Sequence, residues 1–174
     1  MLAVRQAKIE EYDAVKKFYC DLIDSIRDAE YKPAWKMGVY PTEQFLQDSI
    51  REQALFIAVL DNCLVGAMIL NQNCASEYGD ARWKINAKKE EVIIIHALAV
   101  SSTCQRKGIA GQMVSNAIET GRKNSVKAIR LDVLSTNLPA AKLYLSKGFQ
   151  YIDTIKLFYE DTGFADFYLY ELVL

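Results

Sequence analysis

The sequence has few of the residues that build metal centres. Histidine occurs once, at His96, and the four cysteines form no Cys-x-x-Cys pair. A structural zinc site needs closely spaced ligands of these types, so no bound metal is expected. We expect the cysteines to be buried free thiols, as in a reducing compartment. They are Cys20, Cys63, Cys74 and Cys104.

An excess of one charge and long apolar runs are also lacking. Lys and Arg number 21 against 22 Asp and Glu, a net charge of −1. A protein held to nucleic acid through phosphate contacts carries a basic excess, so no nucleic-acid partner is expected. The apolar run from Val92 to Ile95, which resumes from Ala97 to Val100, is far short of the roughly 18–20 residues that span a membrane. The first residues have no signal-peptide pattern. We therefore expect a cytoplasmic protein without a membrane partner.

The chain is long enough to fold around a full core. It has 174 residues, 51% of them hydrophobic and 25% charged, which is ordinary for a globular protein. Its three prolines fall in no linker-like segment, and no repeat is present. We expect one domain over residues 1–174.

Periodicity predicts an alternation of helices and strands. Apolar residues at helical spacing predict helices over 10–27, 42–51, 108–122 and 139–148. Alternating or β-branched segments predict strands over 2–7, 54–60, 63–70, 91–100, 127–134, 149–158 and 165–173. Asp61-Asn62 suits a tight hairpin turn. The later half of the chain has the order β-α-β-α-β, which favours at least one parallel strand pair, and the hairpins need antiparallel pairs. The fold class is α/β, a mixed sheet covered by helices.

The segment from His96 to Gln112 is the strongest local signal. A buried strand ends at Val100, and a small polar loop then leads into a helix at Gly108. The first N–H groups of a helix have no partner inside it, and glycine lets a large anion approach the backbone. Arg106 and Lys107 add positive charge there, so the segment favours a pyrophosphate site. The alternative is that its small residues only let the helix pack on the sheet.

Two motifs resemble one known family. Gln105 to Ala110, QRKGIA, resembles the Q/R-x-x-G-x-G/A signature of the GNAT superfamily of acetyl-coenzyme A-dependent N-acetyltransferases. Asn137 to Phe149 is similar to the later N-x-x-A-x-x-x-Y-x-x-x-G-F segment of that family. The order of elements agrees over essentially the whole chain. The resemblance implies a mostly antiparallel central sheet flanked by helices, with one parallel strand pair that splays apart.

The resemblance also implies where acetyl-coenzyme A (acetyl-CoA) binds. Backbone groups of the strand before the signature would contact the pantetheine arm, and Asn137 would hydrogen-bond to it. Main-chain N–H groups of the signature loop would hold the pyrophosphate. The implied cofactor-binding residues are Leu98, Ala99, Val100, Gln105, Arg106, Lys107, Gly108, Ile109, Ala110, Gly111, Asn137 and Tyr144. Ser101 and Ser102 replace a proline-containing loop often seen before the signature.

Two side chains are candidates for the catalytic groups. Tyr144 could hydrogen-bond or protonate the leaving thiolate, since a tyrosine pKa of about 10 lies near a thiol pKa of about 8.5. His96 could take the proton of the amine, directly or through water. We place His96 and Leu98 on the same face of the strand, where the N–H of Leu98 could stabilise charge on the carbonyl oxygen. Packing roles for Tyr144 and His96, and ordered water as the base, are the alternatives.

The acceptor site is the least specified part of the sequence. In the family, segments between the first two helices line it, which points to Tyr31, Trp35 and Tyr40. These aromatic residues could equally cap the core. Acidic residues nearby that could attract an ammonium group are Asp24, Asp28 and Glu30. A second possible wall is the loop from Asn71 to Lys89, with Tyr78 and Trp83.

The predicted function is acetyl transfer from acetyl-CoA to a primary amine of a small molecule or peptide, by direct attack. The alternative is a non-catalytic module that binds acyl-CoA as a sensor. A third interpretation, an RNA-binding module, rests only on the G-x-x-G of residues 108–111, and the pI near 5.9 argues against it. The apolar strand Phe167 to Val173 could pair between two copies in a homodimer, or pair internally.

Overall fold

All the strands join one mixed sheet. The computed structural model describes residues 1–36 and 38–174. Seven strands are found in this part of the chain, in the order β1-β2-β3-β4-β5-β7-β6. They are β1 (Leu2–Gln6), β2 (Leu55–Leu60), β3 (Cys63–Asn71), β4 (Val92–Val100), β5 (Ala128–Leu134), β6 (Gln150–Tyr159) and β7 (Gly163–Val173). Only β4 and β5 pair in parallel; the other described pairs are antiparallel.

The helices cover both faces of the sheet. Those described are α1 (Tyr12–Ser25), α2 (Glu43–Arg51), α3 (Ile109–Lys123) and α4 (Leu138–Ser146). Local signals place their ends: Thr42 caps α2 by accepting a hydrogen bond from the Phe45 N–H at 3.0 Å. Pro139 lies in the first turn of α4, where its missing N–H costs nothing. Helix α1 is shorter than predicted by two residues at each end.

Two hydrophobic cores lie on opposite sides of the sheet. One is formed with α3 and α4 and includes Ile95, Met113 and Tyr144. The other is formed with α1 and α2 and includes Tyr19 and Ala97. The sheet is therefore buried on both faces, as the continuous apolar sequence of β4 predicts.

The parallel strands β4 and β5 separate along their length. They pair only over three residues, Val92–Ile94 with Ala128–Arg130. Beyond that point β4 continues to pair with β3, and β5 with β7. A gap therefore opens between the carboxyl halves of β4 and β5. The predicted mixed α/β sheet with a splayed parallel pair is confirmed.

A β-bulge at Ala97 changes the direction of side chains along β4. Ala97 has φ of +50°, and the register with β3 shifts there. The Tyr19 hydroxyl donates a hydrogen bond to the Ala97 carbonyl oxygen at 2.8 Å, which fixes the bulge from α1. Ile95 and Leu98 both pack on the α3 side, whereas Ala97 packs on the α1 side. The predicted placement of His96 and Leu98 on one face is therefore wrong, because an extra residue inverts the alternation.

Of the two alternatives for the last strand, the internal one is found, and the burial expected of the cysteines is corrected. The last strand, β7, lies between β5 and β6, so its backbone is paired internally and cannot bridge two copies. The four cysteines are free, but Cys63 and Cys74 are exposed and Cys20 and Cys104 are half-buried. Cys63 follows the hairpin turn and Cys74 lies in a loop, which keeps both near solvent.

Residues 1–36 and 38–174 contain neither a membrane-spanning helix nor a cluster of metal ligands. None of the described helices has the length and hydropathy to cross a membrane. Within the same residues, no group of histidine, cysteine and acidic side chains is arranged to hold a metal ion.

Candidate functional site

The gap between β4 and β5 opens into a cavity of about 650 Å³. Its lining includes residues from the α3 and α4 side, among them Leu98, Asn137 and Tyr144. It also includes residues from the α1 and α2 side, among them Tyr40 and His96. The cavity thus joins the predicted cofactor and acceptor regions through the sheet.

Tyr144 lies on α4 with its ring held between other aromatic rings. It stacks on Tyr170 at 6.5 Å between centroids and meets Phe149 edge-on at 5.4 Å. Its hydroxyl makes no hydrogen bond to the described residues. Burial, and secondarily the carboxyl group of Asp132, raises the pKa of Tyr144. The hydroxyl therefore stays protonated at neutral pH and suits hydrogen-bond donation better than full proton transfer to a thiolate.

Leu98 and Asn137 line the same cavity. Leu98 follows the bulge, and the β3–β4 register assigns it no partner. Asn137 caps α4, its side-chain oxygen accepting a hydrogen bond from the Ala140 N–H at 3.4 Å. The amide hydrogens of Asn137 remain available for a ligand. Ala99 and Val100 instead pair with Ala67 and Gly66 and lie outside the cavity lining.

The signature loop forms an open helix N-terminus. Gly108 has φ of +76°, which favours glycine, and a Cβ there would meet nothing within 4 Å. The first backbone bond of α3 runs from the Gln112 N–H to the Gly108 carbonyl oxygen. The N–H groups of Ile109 to Gly111 therefore make no helical bond and can face an anion.

The side chains of this loop divide between the core and the surface. Ile109 is 3% exposed and belongs to the core. A Cβ on Gly111 would lie 3.3 Å from Lys147 Cε, so Gly111 serves helix packing. Gln105, Arg106 and Lys107 are exposed beside the helix start, outside the cavity lining. The lack of a side chain thus allows close helix packing at Gly111 and leaves open space at Gly108.

His96 lines the cavity on the α2 side. Its Nε2 atom lies 3.0 Å from Asn71 Oδ1 and 2.8 Å from the Asn73 carbonyl oxygen. Both neighbours only accept hydrogen bonds here, so Nε2 carries the proton and Nδ1 holds the lone pair. Burial lowers the pKa of His96 to about 4, against the opposing bond to Asn73. The ring is therefore neutral at pH 7 and a weaker base than an exposed histidine.

The predicted acceptor residues divide between two cavities and the surface. Trp35 and Tyr40 line the cavity and contact each other at 6.0 Å between ring centroids. Tyr31 is 44% exposed and lies outside the lining, so its predicted role is not supported by its position. Trp83 lines a separate cavity of about 600 Å³, and Tyr78 borders both.

The acidic residues of the cavity are not those predicted. Asp24, Asp28 and Glu30 are exposed and outside the lining. They follow or end α1, where their side chains point to solvent. The lining carboxyl groups are those of Asp132, Glu160 and Asp161.

Asp132 lies at the centre of a hydrogen-bond cluster that sequence analysis missed. Its Oδ2 atom accepts hydrogen bonds from the hydroxyls of Tyr78 at 2.7 Å and Tyr159 at 3.3 Å. Burial raises the pKa of Asp132, although both bonds oppose the shift. In the sequence Asp132 is one polar residue of an alternating strand. Only its contacts with two tyrosines that are distant along the chain distinguish it from other polar strand residues.

Comparison with known proteins decides the family. The profile described as "Acetyltransferase (GNAT) family" matches residues 20–149 of the chain. The chain belongs to the GNAT acetyltransferase family. Among curated proteins, no sequence matches this GNAT chain at a significant level.

Solved structures agree on the GNAT fold. An acetyltransferase of the GNAT family from Streptococcus agalactiae is 17% identical, with a TM-score of 0.82 over 99% of this chain and 95% of that one. A GNAT family acetyltransferase from Listeria monocytogenes is 21% identical, with a TM-score of 0.76 over 99% and 95%. The structure of yncA from Salmonella typhimurium with its cofactor acetyl-CoA is 16% identical, with a TM-score of 0.72 over 100% and 94%.

Proposed function

We propose that this protein transfers an acetyl group from acetyl-CoA to a primary amine of a small molecule or peptide by direct attack. One observation carries the proposal: a single cavity reaches from Tyr144 and Asn137, across the gap in the sheet, to Trp35 and His96. Two substrates that enter from opposite faces can meet in such a cavity. The family membership supports acetyl transfer, and the amine acceptor is our inference.

In the proposed reaction the amine nitrogen attacks the thioester carbonyl carbon. A carbon–nitrogen bond forms, the carbon–sulfur bond breaks, and the thiolate of coenzyme A leaves. The N–H of Leu98 stabilises the charge that develops on the carbonyl oxygen. The hydroxyl of Tyr144 donates a hydrogen bond to the sulfur as negative charge collects there.

The amine must lose a proton during this reaction. Because the Nε2 atom of His96 faces two acceptors, only Nδ1 can receive it. With a pKa of about 4, His96 is unprotonated at neutral pH but binds a proton weakly. We assign it the role of a weak base that acts together with ordered water.

The proposed binding of acetyl-CoA uses three groups of this chain. The free N–H groups at the start of α3 would hold the pyrophosphate, and exposed Arg106 and Lys107 would add charge. The amide hydrogens of Asn137 would bond to the pantetheine arm. The open space beside Gly108 leaves room for this approach.

The first experiment measures thiol release from acetyl-CoA with a panel of amines, amino acids and N-terminal peptides. Release that depends on an acceptor, with the acetylated amine found by mass spectrometry, is the expected result. The Tyr144→Phe variant should lower kcat by about 10-fold or more while keeping the dissociation constant for acetyl-CoA. Tight binding of acetyl-CoA without release for any acceptor would select the sensor function instead.

A further inference from the structure

The cavity wall combines carboxyl groups with aromatic rings. Asp132, Glu160 and Asp161 line it, and the described lining contains no lysine or arginine. Lys36, outside the lining, acts on Asp161 and lowers the pKa of that carboxyl against the larger effect of burial. Asp161 thus has a cation nearby, whereas Asp132 forms no ion pair with any described residue.

Asp132 is fixed so that one oxygen remains free. Tyr78 and Tyr159 both donate to Oδ2, and Oδ1 accepts no hydrogen bond from the described residues. The carboxyl group therefore has a set orientation and one unused acceptor that borders the cavity. A buried carboxylate without a cation is costly, and a positively charged ligand would remove that cost.

Asp132 also lies level with the reacting region. The parallel register pairs Ile94 with Arg130. His96 lies two positions further along β4, and Asp132 lies two positions further along β5. Asp132 shares the face of β5 that carries Arg130, since Leu131 and Val133 belong to the core on the other side. His96 and Asp132 thus flank the gap from its two sides.

Aromatic rings continue from this point along the cavity. The ring centroid of Tyr40 lies 6.0 Å from that of Trp35 and 5.7 Å from that of Phe45. The ring centroid of Phe45 lies 6.2 Å from that of His96. Ring faces attract cations and supply apolar contact, but they offer nothing to a carboxylate. A carboxylate in this cavity would meet the carboxyl groups of Asp132, Glu160 and Asp161, and the described lining offers it no lysine or arginine.

We propose that the acceptor is a cationic aliphatic or arylalkyl amine without a carboxylate, and that Oδ1 of Asp132 binds its ammonium group. The proposal rests on the proposed acetyl transfer for the fate of the amine, but the binding step can be measured alone. Amino acids with a free carboxylate are excluded by charge. Asp132 selects the acceptor, and Tyr78 and Tyr159 position its carboxyl group.

Matched pairs of ligands test the role of the carboxylate. Tyramine and tyrosine, and cadaverine and lysine, differ only in the α-carboxylate. Calorimetry with the protein saturated with coenzyme A measures their binding without turnover. We expect each amine to bind at least 10-fold more tightly than its amino acid. Equal or tighter binding of the amino acids would overturn the proposal.

Two variants test the role of Asp132. Asp132→Asn keeps the shape and removes the charge, and should weaken tyramine binding at least 10-fold without changing the dissociation constant for acetyl-CoA. Asp24→Asn, an acidic residue outside the cavity, is the matched control and should bind both as the original protein does. If Asp132→Asn does not fold, Tyr159→Phe removes one bond to the carboxyl group and should weaken tyramine binding. Unchanged tyramine affinity in the folded variants would refute the assignment.

The same measurements separate this inference from the proposed function. Tyramine binding that depends on Asp132, without thiol release from acetyl-CoA, would support the amine site and contradict the proposed acetyl transfer. Thiol release with amino acids but not with tyramine or cadaverine would support the acetyl transfer and contradict the cationic-amine site.

Discussion

At the scale of single residues, burial sets the protonation of the groups in the cavity. His96 and Asp132 flank the gap, and burial shifts the pKa of each toward its neutral form. Tyr144 is kept protonated for the same reason. The site therefore begins the reaction with few fixed charges, so an incoming cation has a large effect on it.

His96 makes the folded state sensitive to mild acid. Its folded pKa of about 4 lies below the ordinary value of 6.5, so the unfolded chain binds a proton first as the pH falls. Stability from this residue is fully present above pH 6.5 and declines toward pH 4. Between pH 7 and pH 5 we expect a loss of about 2 kcal/mol in the free energy of unfolding, measured with urea. His96→Gln should lack this loss, and an equal loss in that variant would contradict the prediction.

At the scale of elements, two local arrangements carry the site. One is the N-terminus of α3, left open by Gly108. The other is the loop before β4, which is bound to the sheet through a buried ion pair. Arg130 bonds to Glu171 at 2.9 Å and to the Ile85 carbonyl oxygen at 2.9 Å, under the ring of Trp83.

Gly108 offers a clean test of the helix terminus. Gly108→Glu places a bulky anion in the space that phosphate would enter, and should weaken acetyl-CoA binding about 100-fold or more. Gly163→Glu is a matched control, since its φ of +68° gives similar backbone strain in open space. Calorimetry should give Gly163→Glu a dissociation constant for acetyl-CoA close to that of the original protein. Comparable losses in both variants would mean that strain, and not phosphate, explains the result.

The buried pair predicts a large stability effect. Glu171 is 1% exposed, and its other oxygen accepts a hydrogen bond from the Lys84 N–H at 2.8 Å. Glu171→Ala leaves Arg130 buried without a counter-charge and should lower the free energy of unfolding by about 3–5 kcal/mol. Asp21→Ala removes an exposed pair with Lys17, which water and salt screen, and should cost far less. Urea denaturation compares the two, and similar losses would disprove the burial argument.

At the scale of the whole molecule, the sheet separates the two proposed binding regions, and one cavity reaches both of its sides. Ligand binding to the folded state alone must then raise its stability. Acetyl-CoA at about 100 times its dissociation constant should add about 2.7 kcal/mol. For a chain of this length the midpoint of thermal unfolding should rise by about 5–10 °C. Gly108→Glu should show almost no rise at that concentration, and a full rise in the variant would place the ligand elsewhere.

Most of the fold was predictable because it follows from local patterns. Alternation placed the strands within a few residues, and Thr42 and Pro139 marked helix starts. The open helix N-terminus at Gly108 could also be predicted, because a glycine directly before an amphipathic helix indicates where that helix begins. Tyr144 was found through its motif, and its lining of the cavity agrees with that prediction.

The acceptor side was less predictable, because distant segments build it. Nothing in the apolar sequence of β4 indicates the positive φ of Ala97, which depends on a hydroxyl from Tyr19 far along the chain. Asp132 has the pattern of an ordinary polar strand residue until Tyr78 and Tyr159 reach it. Asp24 and Asp28 were chosen by closeness in sequence, which does not report distance in space.

The bulge at Ala97 places one extra residue in β4. A deletion of Ala97 would restore a regular alternation and leave Leu98 on the α3 side and Ala99 on the α1 side, while His96 kept its place. A regular strand that kept Ala97 would instead turn Leu98 toward α1 and Ala99 toward α3. The residues after Ala97 therefore keep their sides only if the extra residue is bulged or removed, and the Tyr19 hydroxyl holds it in the bulge.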